Sequence, residues 1–282
     1  MKAVVGIDVM ELFEASMNLL GRMEMPNVEL ELLRVDEASA MSPSEGFAWT
    51  AEVLEMQRET DKNVLLDAEE LAQRHGMTVV GKNVFIGGPA HELIERADVC
   101  HADLIAIGST RKSKYGSFFF GSVGRALSIG SRHSVLIAKG QVAEKGKLIA
   151  VFGTDHSQYA DNSLAMLVRM NPKGFEKIIL VTALDNDMLE GANPLEKEEF
   201  KRTMAQKSAH QVEHLQAAGI TAEYKIIEGE FAEVIDHQVT KNKADLLVLG
   251  AQGHGFIDRL FIGSSSLQQV VATPHSVLIL RP

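Results

Sequence analysis

The chain has little that would let chemistry or covalent bonds stand in for packing. Cys100 is the only cysteine among 282 residues, so no intrachain disulfide can form and a reducing compartment suits the protein. Basic residues are outnumbered, with 28 Lys and Arg against 38 Asp and Glu, a formal charge of −10 and a pI near 5.5. That balance opposes broad binding to nucleic acid or an anionic membrane, and any phosphate ligand must be held by local geometry. Asp8 and Glu11 interrupt the start of the chain, and no apolar run approaches the roughly 20 residues of a membrane span. The expectation is a cytoplasmic protein with neither membrane nor nucleic-acid partners. A Walker Gly-Lys-Ser/Thr loop and a nucleophile, base and acid set are also missing, so fast ATP hydrolysis is not expected.

What the chain does have is a glycine pattern. Ala244 to Leu249 is a continuous apolar run of the kind found in a parallel strand buried on both faces. It opens into Gly250-Ala251-Gln252-Gly253, nine further residues, and Gly263-Ser264-Ser265 ahead of helical spacing through Ala272. Close backbone approach at a glycine, followed by the free N–H groups of a helix start, makes a cradle for an anion such as phosphate. The arrangement occurs twice. Ala102 to Ser109, Gly121-Ser122 and His133 to Ile137 match Ala244 to Ala251, Gly263-Ser264 and His275 to Ile279, each displaced by 142 positions. Three stretches in one register indicate a duplicated domain, since solenoid repeats have far shorter periods.

Strand and helix patterns alternate through both copies. Strands are expected at 2–7, 28–35, 78–86, 104–107 and 135–138, and again at 148–152, 177–182, 221–227, 246–249 and 277–280. Helices are expected between them, with a polar linker from Gly140 to Gly146. The fold class is therefore α/β: two doubly wound, five-stranded parallel sheets, one in residues 1–140 and one in 147–282. With strand order 3-2-1-4-5 the order reverses between strands one and four. Ligands of such sheets sit there, beside Asp8 and Gly108 or beside Gly153 and Gly250.

Gly-x2-Gly-x9-Gly-Ser after an Ala-Asp-Leu strand, then a helix and an apolar last strand, resembles the universal stress protein family, and the chain resembles a tandem member. The resemblance implies a stress-response sensor or regulator that binds ATP or another adenine nucleotide, with magnesium admitted as its companion ion. Gly250, Gly253, Gly263 and Ser264 would meet ribose and phosphates, with Ser265 close by and Val181 near adenine. In the first copy Asp8, Val35, Gly108, Gly121 and Ser122 match the pattern, but Arg111 stands at the second glycine. In the second copy the first strand ends Phe152-Gly153-Thr154-Asp155, with its acid read as shifted by one or two residues. Binding is accordingly expected chiefly in the C-terminal half. The family also implies pairing through last strands, here as an internal pseudo-dimer, with a homodimer or a protein partner as further options.

Several features have plainer readings. The glycines can be turn geometry alone. His210-Gln211-Val212-Glu213-His214 fits an inverted zinc-peptidase pattern but has no third ligand in view, so a solvated helix face is preferred. His133 and His275 read as paired structural histidines near a domain contact. The basic run Arg111 to Lys114 reads as a solvated loop. Phe118 to Phe120 and Leu260 to Ile262 read as packing that anchors each loop. A protein-interaction module without nucleotide is the alternative function. A slow ATP hydrolase or a protein phosphorylated on Ser264 or Ser265 ranks below both.

Overall fold

The computed structural model describes residues 1–36, 51–109, 121–184, 193–250 and 273–282. In the first half, β1 (Lys2–Gly6), α1 (Met10–Arg22), β2 (Glu29–Asp36), α2 (Ala51–Arg74) and β3 (Thr78–Ile86) are followed by α3 (Pro89–Cys100), β4 (Leu104–Ser109), α4 (Ser122–Gly130) and β5 (Ser134–Lys139). The second half runs β6 (Leu148–Gly153), α5 (Gln158–Met170), β7 (Phe175–Leu184), α6 (Pro194–Ala217), β8 (Ala222–Glu228), α7 (Phe231–Lys241), β9 (Leu246–Gly250) and β10 (Ser276–Leu280). The helix expected over 264–272 lies outside the described residues.

All ten strands form one sheet, ordered β3-β2-β1-β4-β5-β10-β9-β6-β7-β8. Each half keeps the order 3-2-1-4-5 with parallel neighbours, and β5 meets β10 antiparallel through Ile137–Val277, Leu136–Leu278 and Val135–Ile279. The two apolar last strands thus cover one another's edges, which answers their need for a partner. Central strands are buried on both faces, as their unbroken Val, Ile and Leu content requires. At the margin, β3 alternates exposed and half-buried residues along its whole length.

The strands' two faces feed two cores. One core packs α1, α2, α5 and α6 through Phe13, Met17, Leu20, Leu71, Leu164 and Leu215, and the other packs α3, α4 and α7 through Leu93, Leu127 and Ile235. Helix starts follow their sequence signals. Asn193 and Glu196 form a capping box ahead of Pro194, Ser157 accepts from the Ala160 N–H, and Pro89 opens α3.

The end of α1 also joins the halves. Buried Arg22 donates to Gly146 O at 2.9 Å and Lys147 O at 3.0 Å and pairs with Asp245 at 2.9 Å. Gly174 sits so close that a Cβ there would lie 1.6 Å from Arg22 O.

Candidate functional site

At the carboxyl ends of β1, β2 and β4 the first half opens a cleft of about 160 Å³. Asp8, Val35 and Gly108 line it together, with Leu12, Pro89 and Val123 closing the sides. It lies at the strand-order reversal. Asp8 is exposed, and its backbone is held from below: Arg34 donates to Asp8 O at 2.9 Å and to Ile7 O at 3.3 Å while pairing with Asp61. Arg34 and Asp61 escaped the sequence reading. The available signal was a lone arginine between the buried Leu33 and the cleft residue Val35.

Gly108 and Gly121 differ in what requires them. A Cβ on Gly108 would lie 1.9 Å from Leu12 O, so close packing of α1 on β4 demands glycine there whether or not a ligand binds. Gly121 is different: its φ is −56°, and among the described residues its Cβ would approach only Ser109 Oγ, at 3.8 Å. It caps α4 without any side-chain hydrogen bond, and Ser122 begins the helix, so among the described residues no side chain covers this N-terminus.

Strand pairing aligns the second half independently of loop lengths. Gly6 pairs with Leu33 as Gly153 pairs with Val181, and Ile7 N–H donates to Leu33 O as Thr154 N–H donates to Val181 O. Gly153-Thr154-Asp155 therefore occupies the register of Gly6-Ile7-Asp8. The acid is in place, correcting the shift expected from sequence. The same register puts Val181 at the fully buried position of Leu33, while Ala183 stands where Val35 lines the first cleft. Asp155 accepts from the Ser157 N–H at 2.9 Å through Oδ1, and its buried Oδ2 has no partner among the described residues.

The surroundings of the two strand ends differ. Phe231 opens α7 as Pro89 opens α3, and its ring lies over Gly153, with Cζ 2.9 Å from where a Cβ would stand. Gly250 faces α5, and its Cβ would lie 2.6 Å from Ser163 Oγ. Beneath Asp155, buried His156 meets Thr182 Oγ1 at 2.9 Å and Ser208 Oγ at 3.3 Å. Burial, with Lys207 acting in the same direction, lowers the His156 pKa below the ordinary histidine value, so this imidazole is neutral at pH 7. Gly253, Gly263, Ser264, Ser265 and Arg111 lie outside the described residues. So do the basic run to Lys114 and the apolar triplets.

Other candidates resolve into structure. Asp103 and Asp245 of the Ala-Asp-Leu motif accept the N–H groups of Lys2 and Ile149, tying strand four to strand one in each half. His133 meets Asp98 and Ala102 O, and His275 meets Asp236 at 2.9 Å, as expected of structural histidines. His210 and His214 are exposed. The one metal-sized grouping among the described residues is His91, Glu92 and Glu95 on the surface of α3 rather than that pair. No helix among the described residues is long and apolar enough to cross a membrane.

Residues 4–139 and 149–281 each match the universal stress protein family. The chain belongs to that family. It is a tandem, two-domain universal stress protein. A relative described as a universal stress protein in the QAH/OAS sulfhydrylase 3'region of Thermus aquaticus is 28% identical over 136 residues, 48% of this chain and 96% of its own. Among solved structures, a universal stress protein from Archaeoglobus fulgidus aligns at a TM-score of 0.71 and 19% identity, over 99% of this chain and 96% of its own. A functionally unknown protein from Pseudomonas aeruginosa aligns at 0.67 and 14%, covering 100% of this chain and 92% of its own. At these identities the structural likeness speaks for the fold.

Proposed function

We propose that this universal stress protein is a cytoplasmic stress-response regulator that binds ATP or a related adenine nucleotide, chiefly in its C-terminal half. The observation carrying the proposal is Gly121. It is a glycine at a helix start beside the strand-order reversal, and neither backbone conformation nor neighbouring atoms among the described residues require it. Room for an anion against free N–H groups gives it a reason. Its counterpart in sequence is Gly263, and only the second copy adds Gly253, where the first carries Arg111. The Asp155 oxygen just beyond β6 that has no partner among the described residues is an acceptor suited to a hydroxyl such as that of ribose.

Calorimetric titration with ATP tests the reading. Gly253→Arg, which copies the first half's loop, is expected to weaken binding at least about tenfold while the chain stays folded. Equal affinity in that variant refutes the C-terminal assignment. A second reading, a protein-interaction module without nucleotide, is favoured by Gly108 and Gly250, which helix packing explains without a ligand. It is preferred if the wild type takes up no ATP. Hydrolysis or self-phosphorylation on Ser264 or Ser265 ranks below both readings.

A further inference from the structure

The seam between β5 and β10 is crossed by two buried cations related by the duplication. Lys139 ends β5, and Arg281 stands 142 positions on, directly after β10. Lys139 sends its ammonium to Thr273 O at 2.6 Å, in the turn ahead of β10, and its backbone N–H to Ser276 Oγ at 3.0 Å. Arg281 mirrors this. Its backbone N–H donates to Ser134 Oγ at 3.2 Å, while its guanidinium donates to His133 O at 3.1 Å and to Ser128 O. Only 3% of Lys139 and 8% of Arg281 is exposed.

Ser128 lies in the last turn of α4. The Leu127 carbonyl there accepts from Ser131 N–H, and the Ser128 carbonyl beyond it takes its donor from the other half of the molecule. A guanidinium at the carboxyl end of a helix supplies a missing donor and opposes the negative end of the helix dipole. The opposite end of α4 is the N-terminus at Gly121 and Ser122, without a side-chain cap among the described residues. One short helix of nine residues thus reaches one half's cleft through Val123 in its first turn and presents its carboxyl end to the other half's arginine.

We propose that Arg281 and Lys139 are positioning residues that couple the two halves: Arg281 holds, across the seam, the carboxyl end of α4 beside the first cleft, and Lys139 holds the turn at Thr273 ahead of β10. Arg281 fixes α4 behind the first cleft. Lys139 fixes the turn at Thr273, directly ahead of β10. The link to ligand rests on the nucleotide reading above, but the cross-seam hold exists without any ligand and is measured without one.

Hydrogen exchange on the full, unliganded chain tests it. Arg281→Met is expected to speed exchange at residues 122–130 about tenfold, because a charge-assisted hydrogen bond is lost at the helix end, while α5 changes less than about twofold. Lys139→Met is expected to do the reverse, speeding exchange at residues 273–276 and leaving 122–130 unchanged. Arg281→Lys, which installs the cation used on the other side of the seam, is expected to hold residues 122–130 within about threefold of wild type. This rescue separates positioning from bulk packing. It also carries the test if the methionine variant fails to fold. Equal acceleration in both halves, or none at 122–130, overturns the proposal. ATP titration of Lys139→Met separates the two claims. Weaker binding supports coupling to the C-terminal site, and unchanged binding removes that link. A wild type that binds no ATP refutes the nucleotide reading while the exchange pattern still decides the cross-seam hold.

Discussion

Replacing Gly108 with alanine separates packing from ligand contact. The new methyl would lie 1.9 Å from Leu12 O, so α1 must retreat by about 1.5 Å to restore ordinary contact. That helix carries Phe13, Met17, Leu19 and Leu20, none more than 1% exposed, into the core it shares with α2 and the sheet. Overpacking of this kind costs about 3 kcal/mol, a large share of the roughly 5–15 kcal/mol that keeps a domain folded. In urea the midpoint is expected to fall by roughly 1–3 M, given slopes of about 1–3 kcal/mol per molar. Gly121→Ala is the control. With only Ser109 Oγ nearby among the described residues, at 3.8 Å, it is expected to leave stability within about 0.5 kcal/mol of wild type. An unchanged midpoint for Gly108→Ala, or a large fall for Gly121→Ala, refutes the division of the loop glycines into one demanded by the fold and one free of it.

Two further consequences concern the contacts that join the halves. Burial pulls the Lys139 pKa down to about 8 from its model-compound value of 10.5, so the unfolded chain holds the proton more tightly between those values. Stability should therefore rise with pH from about 8 to 10.5, by up to about 3 kcal/mol, and Lys139→Met should lack this rise. Urea midpoints of the two proteins at pH 7, 9 and 10 check it, and parallel curves contradict it. Arg22→Met removes two carbonyl contacts and the Asp245 pair from a residue 8% exposed, and a loss of about 3 kcal/mol is expected in the same assay.

The strands were legible because their composition is insensitive to where the chain goes next. Continuous apolar runs such as Leu246 to Leu249 must be buried on both faces, and β3 was bounded by Met77 and Gly87 as read. The strand order 3-2-1-4-5 was supposed from the doubly wound class rather than read from any residue, and the joining of β5 to β10 from two apolar edges plus the family resemblance. Register in the second half was harder. The glycine loops and last strands repeat at 142 positions, but strand pairing sets Asp155 against Asp8 at 147 and Val181 against Leu33 at 148, because the connections between them differ in length. The offset of the loops and last strands therefore does not carry over to strands one and two, where pairing sets Ala183, not Val181, against Val35. Arg34, His156 and the cross-seam cations stayed hidden because their partners are backbone carbonyls or residues distant in sequence, which no local spacing encodes.

The most direct test is to purify the protein, release any bound small molecule with acid and identify it by mass spectrometry, with Gly253→Arg treated alongside. An adenine nucleotide released from the wild type and lost from the variant is the predicted result. Nothing released from the wild type, together with no heat on addition of ATP, would contradict nucleotide binding and leave the glycine loops as scaffold.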